Sequence, residues 1–464
     1  MSEVPAQGRP LARRVAEFVA AAGPDAVPDE VLERARHLAL DAVGLAFAST
    51  AYPFPAVARE ALGTLGSGDH PVLGMKDRLE ARDAAVLNGV LVHGLDFDDT
   101  HIGAVTHVSA AALPAAISAA TVAGASTRDL LLAYVLGVEV STRIGLAGAG
   151  SFHDVGWHPT AVAGAFGSAV AAGKLAGLDA AQLTMAQGVV GSMAGGLLEF
   201  LEDGAWTKRL HPGWAALCGL TAAAFARTGW TGPAAVYEGR FGLFATHLAG
   251  RDTHPELIAT DLGSVWEIAR TAVKPYPICH FNHAFADAAK LLREEHGIRP
   301  EQVAAVRCAI HPTPGRVVCE PAAAKWAPRD EYDAKFSLPY VVATVLATGR
   351  FTLTELDERS LADPAVLDLA RRVEVVADPD SAFPRAYSGY VEIELTDGRR
   401  VSHREQVNRG HEERPLTDAE IVAKFRESMS VVADAATTDR VERAVLSLGD
   451  DRPAREFAEA CAAS

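Results

Sequence analysis

Between Ile102 and Thr127 the chain carries no Asp, Glu, Lys or Arg. A segment of that length without fixed charge has to be covered, either by lipid or by the rest of the protein. His107, Pro114 and the many Ala, Gly, Ser and Thr leave it short of the Leu, Ile and Phe density of a lipid-facing span. The reading is therefore a buried helix pair, with no membrane association. The surroundings share this texture: from Leu11 to about Arg270, apolar residues recur at helical spacing among abundant Gly and Ala. In 29–43, Pro28, Asp29 and Glu30 suit a helix start, and Val31, Ala35, Leu38 and Ala42 follow one face. Segments 160–175 and 185–200 are apolar nearly all round, as core helices are, and their small residues would let helix backbones approach closely.

From about Lys274 to Gln406 the period changes. Segments 303–310 and 372–376 are short β-branched runs, and 390–395 alternates apolar and acidic residues before Asp397-Gly398 and a further run at 399–401. Asp-Gly between two such runs is a strong hairpin signal. Segments 333–348 and 364–371 read as helices between the strands, and Thr417-Asp418-Ala419-Glu420 as a capping box opening a last helix. A length of 464 residues suggests about two or three domains. The fold class is mainly α: a large all-α helical domain over 1–270 and a smaller α+β lid domain over 271–409, with 410–464 packing back on the first.

Charge narrows the partners. The 43 basic and 59 acidic side chains give a net charge of −16 with no long basic run, which excludes nucleic acid as a partner. No apolar core of a signal peptide follows Met1, and Glu3 and Glu17 argue against a transit peptide around Arg9, Arg13 and Arg14. The five cysteines are scattered without a C-x-x-C pair, which points to reduced thiols, a cytoplasmic location and no iron–sulfur cluster.

The densest polar island in the helical half is His93-Gly94-Leu95-Asp96-Phe97-Asp98-Asp99-Thr100-His101, followed by His107. It fits a solvated loop with Asp98 or Asp99 as an N-cap. It also fits a divalent-metal site, or an acid–base site in a cleft walled by apolar helices. Three further islands bear on the choice. Gly156-Trp157-His158-Pro159-Thr160 sets a histidine before an apolar helix, where the positive dipole end lowers its basicity and favours an anion; a plain capping histidine is the alternative. Trp206-Thr207-Lys208-Arg209-Leu210-His211-Pro212-Gly213-Trp214 reads as a carboxylate-binding wall or a surface charge pair. Lys274-Pro275-Tyr276-Pro277-Ile278-Cys279-His280-Phe281-Asn282-His283 reads as a stiff hinge bearing positive charge, or a linker with solvated histidines. G-x-S-x-G, a P-loop and a convincing dinucleotide fingerprint are absent from the sequence. The chemistry that fits is proton removal next to a carboxylate, with cations holding a polyanion.

At these islands, together with Lys335-Phe336-Ser337-Leu338-Pro339-Tyr340, the chain resembles the MmgE/PrpD family in order and spacing over about residues 10–430. The resemblance implies a cofactor-independent active site in the cleft between the two domains, and a homodimer. It also implies an activity such as 2-methylcitrate dehydration, cis-aconitate decarboxylation or iminodisuccinate epimerisation. The family's active-site positions fall on Asp96, Thr100, His107, His158, Lys208 and His280, with Arg209, His211 and Lys274 as further substrate-binding residues. In this scheme His158 and His107 are the acid–base pair. Asp96 tunes an imidazole, Thr100 bonds a substrate oxygen, and Lys208 and His280 hold carboxylates.

The 208–214 stretch is similar to the dehydratase branch. Val318-Cys319-Glu320-Pro321 stands where decarboxylase relatives can place a tyrosine. The expectation is thus a lyase that uses no metal and dehydrates 2-methylcitrate or a related di- or tricarboxylate. An epimerase or decarboxylase, a metal-dependent hydrolase built on Asp96, Asp98 and His101, and a polycarboxylate-binding protein without turnover are the alternatives.

Overall fold

The computed structural model describes residues 8–383 and 385–463; Glu3, one of the acids weighed against a transit peptide, lies outside them. Two units separate: residues up to 272 together with 417–464, and residues 273–416. The protein is mainly helical, with a small α+β unit.

In the first unit the core helices are Asp29–Ser49, Ala81–His93, Val108–Ala123, Thr127–Ala147, Pro159–Leu175 and Thr207–Arg227. Pro159–Leu175 lies at the centre, packed by Val108–Ala123, Thr127–Ala147 and Thr207–Arg227. Its residues Pro159 to Gly173 are buried without exception, as its all-round apolar sequence requires. The unit is not wholly α, because His70–Pro71 and Arg78–Leu79 form a two-residue antiparallel pair. Thr127–Ala147 is long and apolar enough to cross a membrane, but 94% of its most apolar window is buried inside the protein.

Three sequence readings need correction. The uncharged run holds one helix, Val108–Ala123, rather than a pair. Gly124 ends it in the left-handed region at φ 63°, and Ser126 and Asp129 form a capping box that opens the next helix. The helix read over 185–200 is Ala180–Val190. It stops at Gly191, and Gly195 and Gly196 follow, each too poor a helix former to carry the turn onward. The helix read over 333–348 splits into Glu331–Lys335 and Leu338–Thr348, because Ser337 caps the second and Pro339 sits in its first turn. At the C-terminus Thr417 and Glu420 form the expected capping box on Asp418–Met429, and two more helices, Ala435–Leu446 and Ala454–Ala460, come after it. Phe425 of Asp418–Met429 rests on Gly44, where an added Cβ would lie 2.7 Å from the ring.

The second unit is a four-stranded sheet in the order Val373–Ala377, Val303–Ile310, Gly389–Leu395, Arg400–Glu405. The first pair is parallel and the others antiparallel. Gly389–Leu395 alternates buried and half-buried residues along its length, and Asp397-Gly398 makes the hairpin, with Gly398 at φ 86°. Helices His283–His296 and Leu338–Thr348 pack on the sheet and on each other around Phe285, Leu292, Val341, Val345 and Ile393.

One close contact in the first unit locks two core helices together. Gly89 of Ala81–His93 and Gly213 of Thr207–Arg227 meet backbone to backbone. A Cβ on Gly89 would lie 2.5 Å from Gly213 Cα, and one on Gly213 would lie 2.2 Å from the Val86 carbonyl oxygen. Gly213→Ala must push the two helices apart and should cost about 1–3 kcal/mol, the range for overpacking a close contact. Gly63→Ala, at a helix end with nothing within 4 Å of the new Cβ, should be neutral or slightly stabilising. Urea unfolding of both variants checks this, and equal midpoints would mean that the two helices yield to a methyl group at little cost.

Candidate active site

Four helix ends meet around a set of imidazoles. His93 is the last residue of Ala81–His93. His107 and His158 are the N-cap residues of Val108–Ala123 and Pro159–Leu175, and neither spends its side chain on capping. Lys208 lies in the first turn of Thr207–Arg227, with His211 one turn further on. The Gly89–Gly213 contact brings the end of the first helix against the start of the fourth. Three of the four ends are N-termini, whose unpaired N–H groups and positive dipole ends favour an anion.

The loop from 94 to 107 carries most of the polar groups and is tied down along its length. Asp96 stands in the left-handed region at φ 53°, a conformation that Asp tolerates better than most residues. Thr100 pairs its backbone with Ala272 in both directions, at 2.9 and 2.8 Å. The Phe97 carbonyl accepts from Lys424 Nζ at 2.9 Å, and the same ammonium holds buried Asp41. Asp99 accepts the backbone N–H of Ser109, the second residue of Val108–Ala123, at 3.1 Å, and also the Ser109 hydroxyl. Asp99 thus caps that helix from outside it. Its burial outweighs these bonds and raises its pKa to about 7.

Asp98 sits at the centre. It is fully buried, with Oδ2 2.8 Å from His93 Nδ1 and Oδ1 3.2 Å from His107 Nδ1. Burial alone would raise its pKa, but the two adjacent imidazoles reverse that and hold it well below the usual carboxylate value. His107 Nδ1 also lies 3.3 Å from Thr100 Oγ1, and its Nε2 lies 3.9 Å from Asp96 Oδ1. Its backbone N–H donates to Thr160 Oγ1 at 3.0 Å. Asp96 in turn accepts from Lys208 Nζ at 2.7 Å. His158 is buried 5.8 Å from the His93 ring and 6.3 Å from the His107 ring, centre to centre. Desolvation, then the neighbouring His93, Lys208, His211 and His107, push its pKa well below 6.5, so its ring is neutral. A buried carboxylate between two imidazoles beside a third, neutral one can hold a proton and accept another within a single pocket of charge.

The structure thus brings Asp96, Thr100, His107, His158 and Lys208 together in the first unit. His211 lies behind His158, their Nδ1 atoms 3.0 Å apart. Arg209 turns to the loop backbone: its Nε donates to the Gly94 carbonyl at 2.9 Å, and its guanidinium lies 4.5 Å from the centre of the Phe54 ring. Lys274 and His280 belong to the second unit, where Lys274 is buried and the His280 ring lies 4.8 Å from that of His283 and 5.9 Å from that of Tyr387. Cys319 ends the helix Pro312–Cys319 in that unit, buried, with its thiol raised to about 12 by desolvation.

The metal set Asp96, Asp98 and His101 is not assembled. His101 is drawn away, its Nε2 3.1 Å from Glu267 Oε2 and its Nδ1 accepting the Ala104 N–H at 3.1 Å. The groups that do converge are His93, His107, His158 and Asp96, Asp98, His107, each with donor atoms within 4.8 Å of one another. In the second group Asp96 already holds the Lys208 ammonium. The residues that sequence reasoning left out of the acid–base set are His93 and Asp98. Their signal was the five-residue step from a helix end into its loop, which sets a carboxylate back against the terminal imidazole.

Comparison with known proteins identifies the family. The MmgE/PrpD N-terminal domain model matches residues 13–256 and the MmgE/PrpD C-terminal domain model matches residues 276–450. A cis-aconitate decarboxylase-like protein, oryM, of Aspergillus oryzae is 30% identical over 448 residues, 92% of each chain. Human cis-aconitate decarboxylase is 31% identical over 440 residues, 91% of this chain and 88% of the relative. The Aspergillus terreus cis-aconitate decarboxylase is 29% identical over 448 residues, 91% and 90%. With both domain models matched in order across most of its length, the chain belongs to the MmgE/PrpD family.

Proposed function

We propose that the protein is a lyase that transfers protons at a carbon next to a carboxylate, without metal or organic cofactor, and that it dehydrates 2-methylcitrate or a related hydroxy tricarboxylate. The observation that carries this reading is the opposed surroundings of two neighbouring histidines. His158 is kept neutral by burial and by positive neighbours, whereas His107 lies against two carboxylates, 3.2 Å from Asp98 and 3.9 Å from Asp96. Groups whose environments push their charge states apart make an acid–base pair.

Elimination of water needs both members. His158 takes the proton from the carbon next to a carboxylate, and the C–H electrons become the new double bond. The C–O bond breaks, and His107 gives its proton to the departing hydroxide. Lys208 leaves Asp96 for a substrate carboxylate, and the helix N-termini stabilise the charge that builds on it. Acid–base groups of this kind contribute roughly 10²–10⁴-fold.

A second reading, decarboxylation, is favoured by the relatives, two of which are named cis-aconitate decarboxylase and one cis-aconitate decarboxylase-like. It needs only a proton delivered to the carbanion left by carbon dioxide. Incubation with 2-methylcitrate, citrate and cis-aconitate separates the two, with products read by NMR after exhaustive chelation of the protein. An unsaturated product from a hydroxy acid, seen by its olefinic carbons, is expected, undiminished by chelation. Carbon dioxide loss from cis-aconitate would move the assignment to the second reading, and activity abolished by chelation and restored by a divalent ion would remove the metal-free mechanism.

The pH dependence arises from the same pair. A base whose pKa is depressed stays neutral as pH falls, so the acid limb of kcat/KM should lie below pH 6.5, the value of an unperturbed histidine. A limb at or above that value would assign the base elsewhere.

The homodimer is also proposed. On Thr207–Arg227, Leu210, Trp214, Leu217, Thr221 and Phe225 run along one face at helical spacing. Leu210, Trp214 and Phe225 are 42, 46 and 43% exposed, too much apolar surface in one stripe for a face left in water. Light scattering should give near twice the chain mass of 48.8 kDa, and Trp214→Glu with Phe225→Glu should reduce it to one chain. A wild-type monomer at micromolar concentration would remove the proposal.

A further inference from the structure

The sequence pairs His211 with a substrate carboxylate, but the structure gives its ring another partner. His158 Nδ1 and His211 Nδ1 lie 3.0 Å apart with ring centres 5.1 Å apart, and both residues are more than nine-tenths buried. Two bare nitrogens at that distance repel, and so do two N–H groups; the contact is stable only with one hydrogen between them. Both rings are short of protons. His158 is held neutral by desolvation and its positive neighbours, and desolvation followed by His93 and Lys208 lowers His211 to about 4. At neutral pH the pair is two uncharged imidazoles of opposite tautomer.

Gly196 fastens them together. Its carbonyl accepts the His158 backbone N–H at 2.8 Å, and its Cα face lies against the His211 ring, 3.2 Å from Cγ and Cδ2 to an added Cβ. The Phe200 ring closes the other side, 6.2 Å from His158 and 6.0 Å from His211. His158 Nε2 makes no hydrogen bond among the described residues, so the Nδ1 contact alone decides whether Nε2 bears a lone pair or a hydrogen.

We infer that His211 is a positioning residue: it accepts the Nδ1–H of His158 and so leaves the His158 Nε2 lone pair free to take the substrate proton. The inference rests on the proposed acid–base pair for its consequence, but the tautomer itself can be read without substrate. A carboxylate in the same place would fix the same tautomer and raise the basicity of His158 as well. A neutral imidazole fixes the tautomer alone, and leaves the base uncharged until it acts. Once His158 is protonated, the bond to His211 becomes charge-assisted and shorter, so it strengthens as the proton moves.

Protein labelled with ¹⁵N-histidine tests this, with His211→Leu and His211→Asn alongside; the Asn carbonyl can accept where Nδ1 did. The expected wild-type His158 spectrum has a protonated Nδ1 and a bare Nε2. The leucine variant should lose that preference and lower kcat about 10- to 100-fold with KM nearly unchanged, the range for groups that orient an imidazole from behind. The asparagine variant should recover most of both. A wild-type His158 protonated on Nε2 overturns the inference whatever the activity, as does a tautomer unchanged in the leucine variant. Equal loss in both variants overturns the acceptor role. If the leucine variant does not fold, the wild-type and asparagine spectra still decide. If 2-methylcitrate, citrate and cis-aconitate are not turned over, the spectra hold or fail independently of that result.

Discussion

A single buried negative charge organises the helical unit's polar centre. Asp98 is cut off from water, and a carboxylate so placed is tolerated only when positive or donating groups meet both of its oxygens. His93 bonds one oxygen, and the His107 ring lies 3.2 Å from the other. Each comes from the end of a different core helix. The loop between those helices cannot relax without leaving the ion exposed to hydrocarbon, so the position of His107 is tied to the burial of Asp98. Asp99 and Asp41 nearby show the other solutions to the same problem. Asp99, given hydroxyl and N–H donors, is pushed up to about 7. Asp41 is raised by burial against the pull of the Lys424 ammonium. Among the three, Asp98 alone is driven well below the ordinary value, and its neighbours are the imidazoles of the site.

The C-terminal segment belongs to this arrangement. Lys424 reaches both Asp41 and the Phe97 carbonyl, with its ammonium 3.9 Å from the Phe97 ring centre. The chain therefore returns after the sheet unit to pin the loop that bears Asp96 and Asp98. A substitution at Lys424 would strip a buried carboxylate and a buried carbonyl of their partner at once, which makes a helix remote in sequence a condition for the site's geometry.

Much of this was legible in the sequence. The change of period near Lys274, the hairpin at Asp397-Gly398 and the capping box at Thr417 each appear where local chemistry places them, because such signals depend on neighbours in the chain. The readings that failed were those in which glycine or proline had to be weighed against an apolar pattern, as at Gly191 and Pro339. Apolar periodicity says that a segment is buried, not that it is unbroken. At the site, the residue types and their clustering were visible, but not which ring touches which. His101 and His107 look equivalent in the sequence, yet one is spent on Glu267 and the Ala104 N–H. His211 reads as one more cation beside Lys208 and Arg209. Its role depends on a segment around Gly196 that no spacing rule connects to it.

The location of the imidazoles at helix N-termini also bears on how one scaffold can serve several lyase reactions. The overall charge of −16 is screened over about 8 Å at physiological salt, so a polyanion in the site responds to the local dipole ends and Lys208. Those features stabilise negative charge next to a carboxylate whether it arises by losing a proton or by losing carbon dioxide. What differs is the direction in which the proton moves. A neutral His158 can only accept one, and it contributes to bond-making solely if the substrate carries an acidic C–H within its reach. Decarboxylation would leave it idle and ask only for delivery of a proton from His107. A buried imidazole kept neutral has a purpose in the proposed elimination that it lacks in decarboxylation. That asymmetry is the physical reason for the order in which the two reactions are proposed.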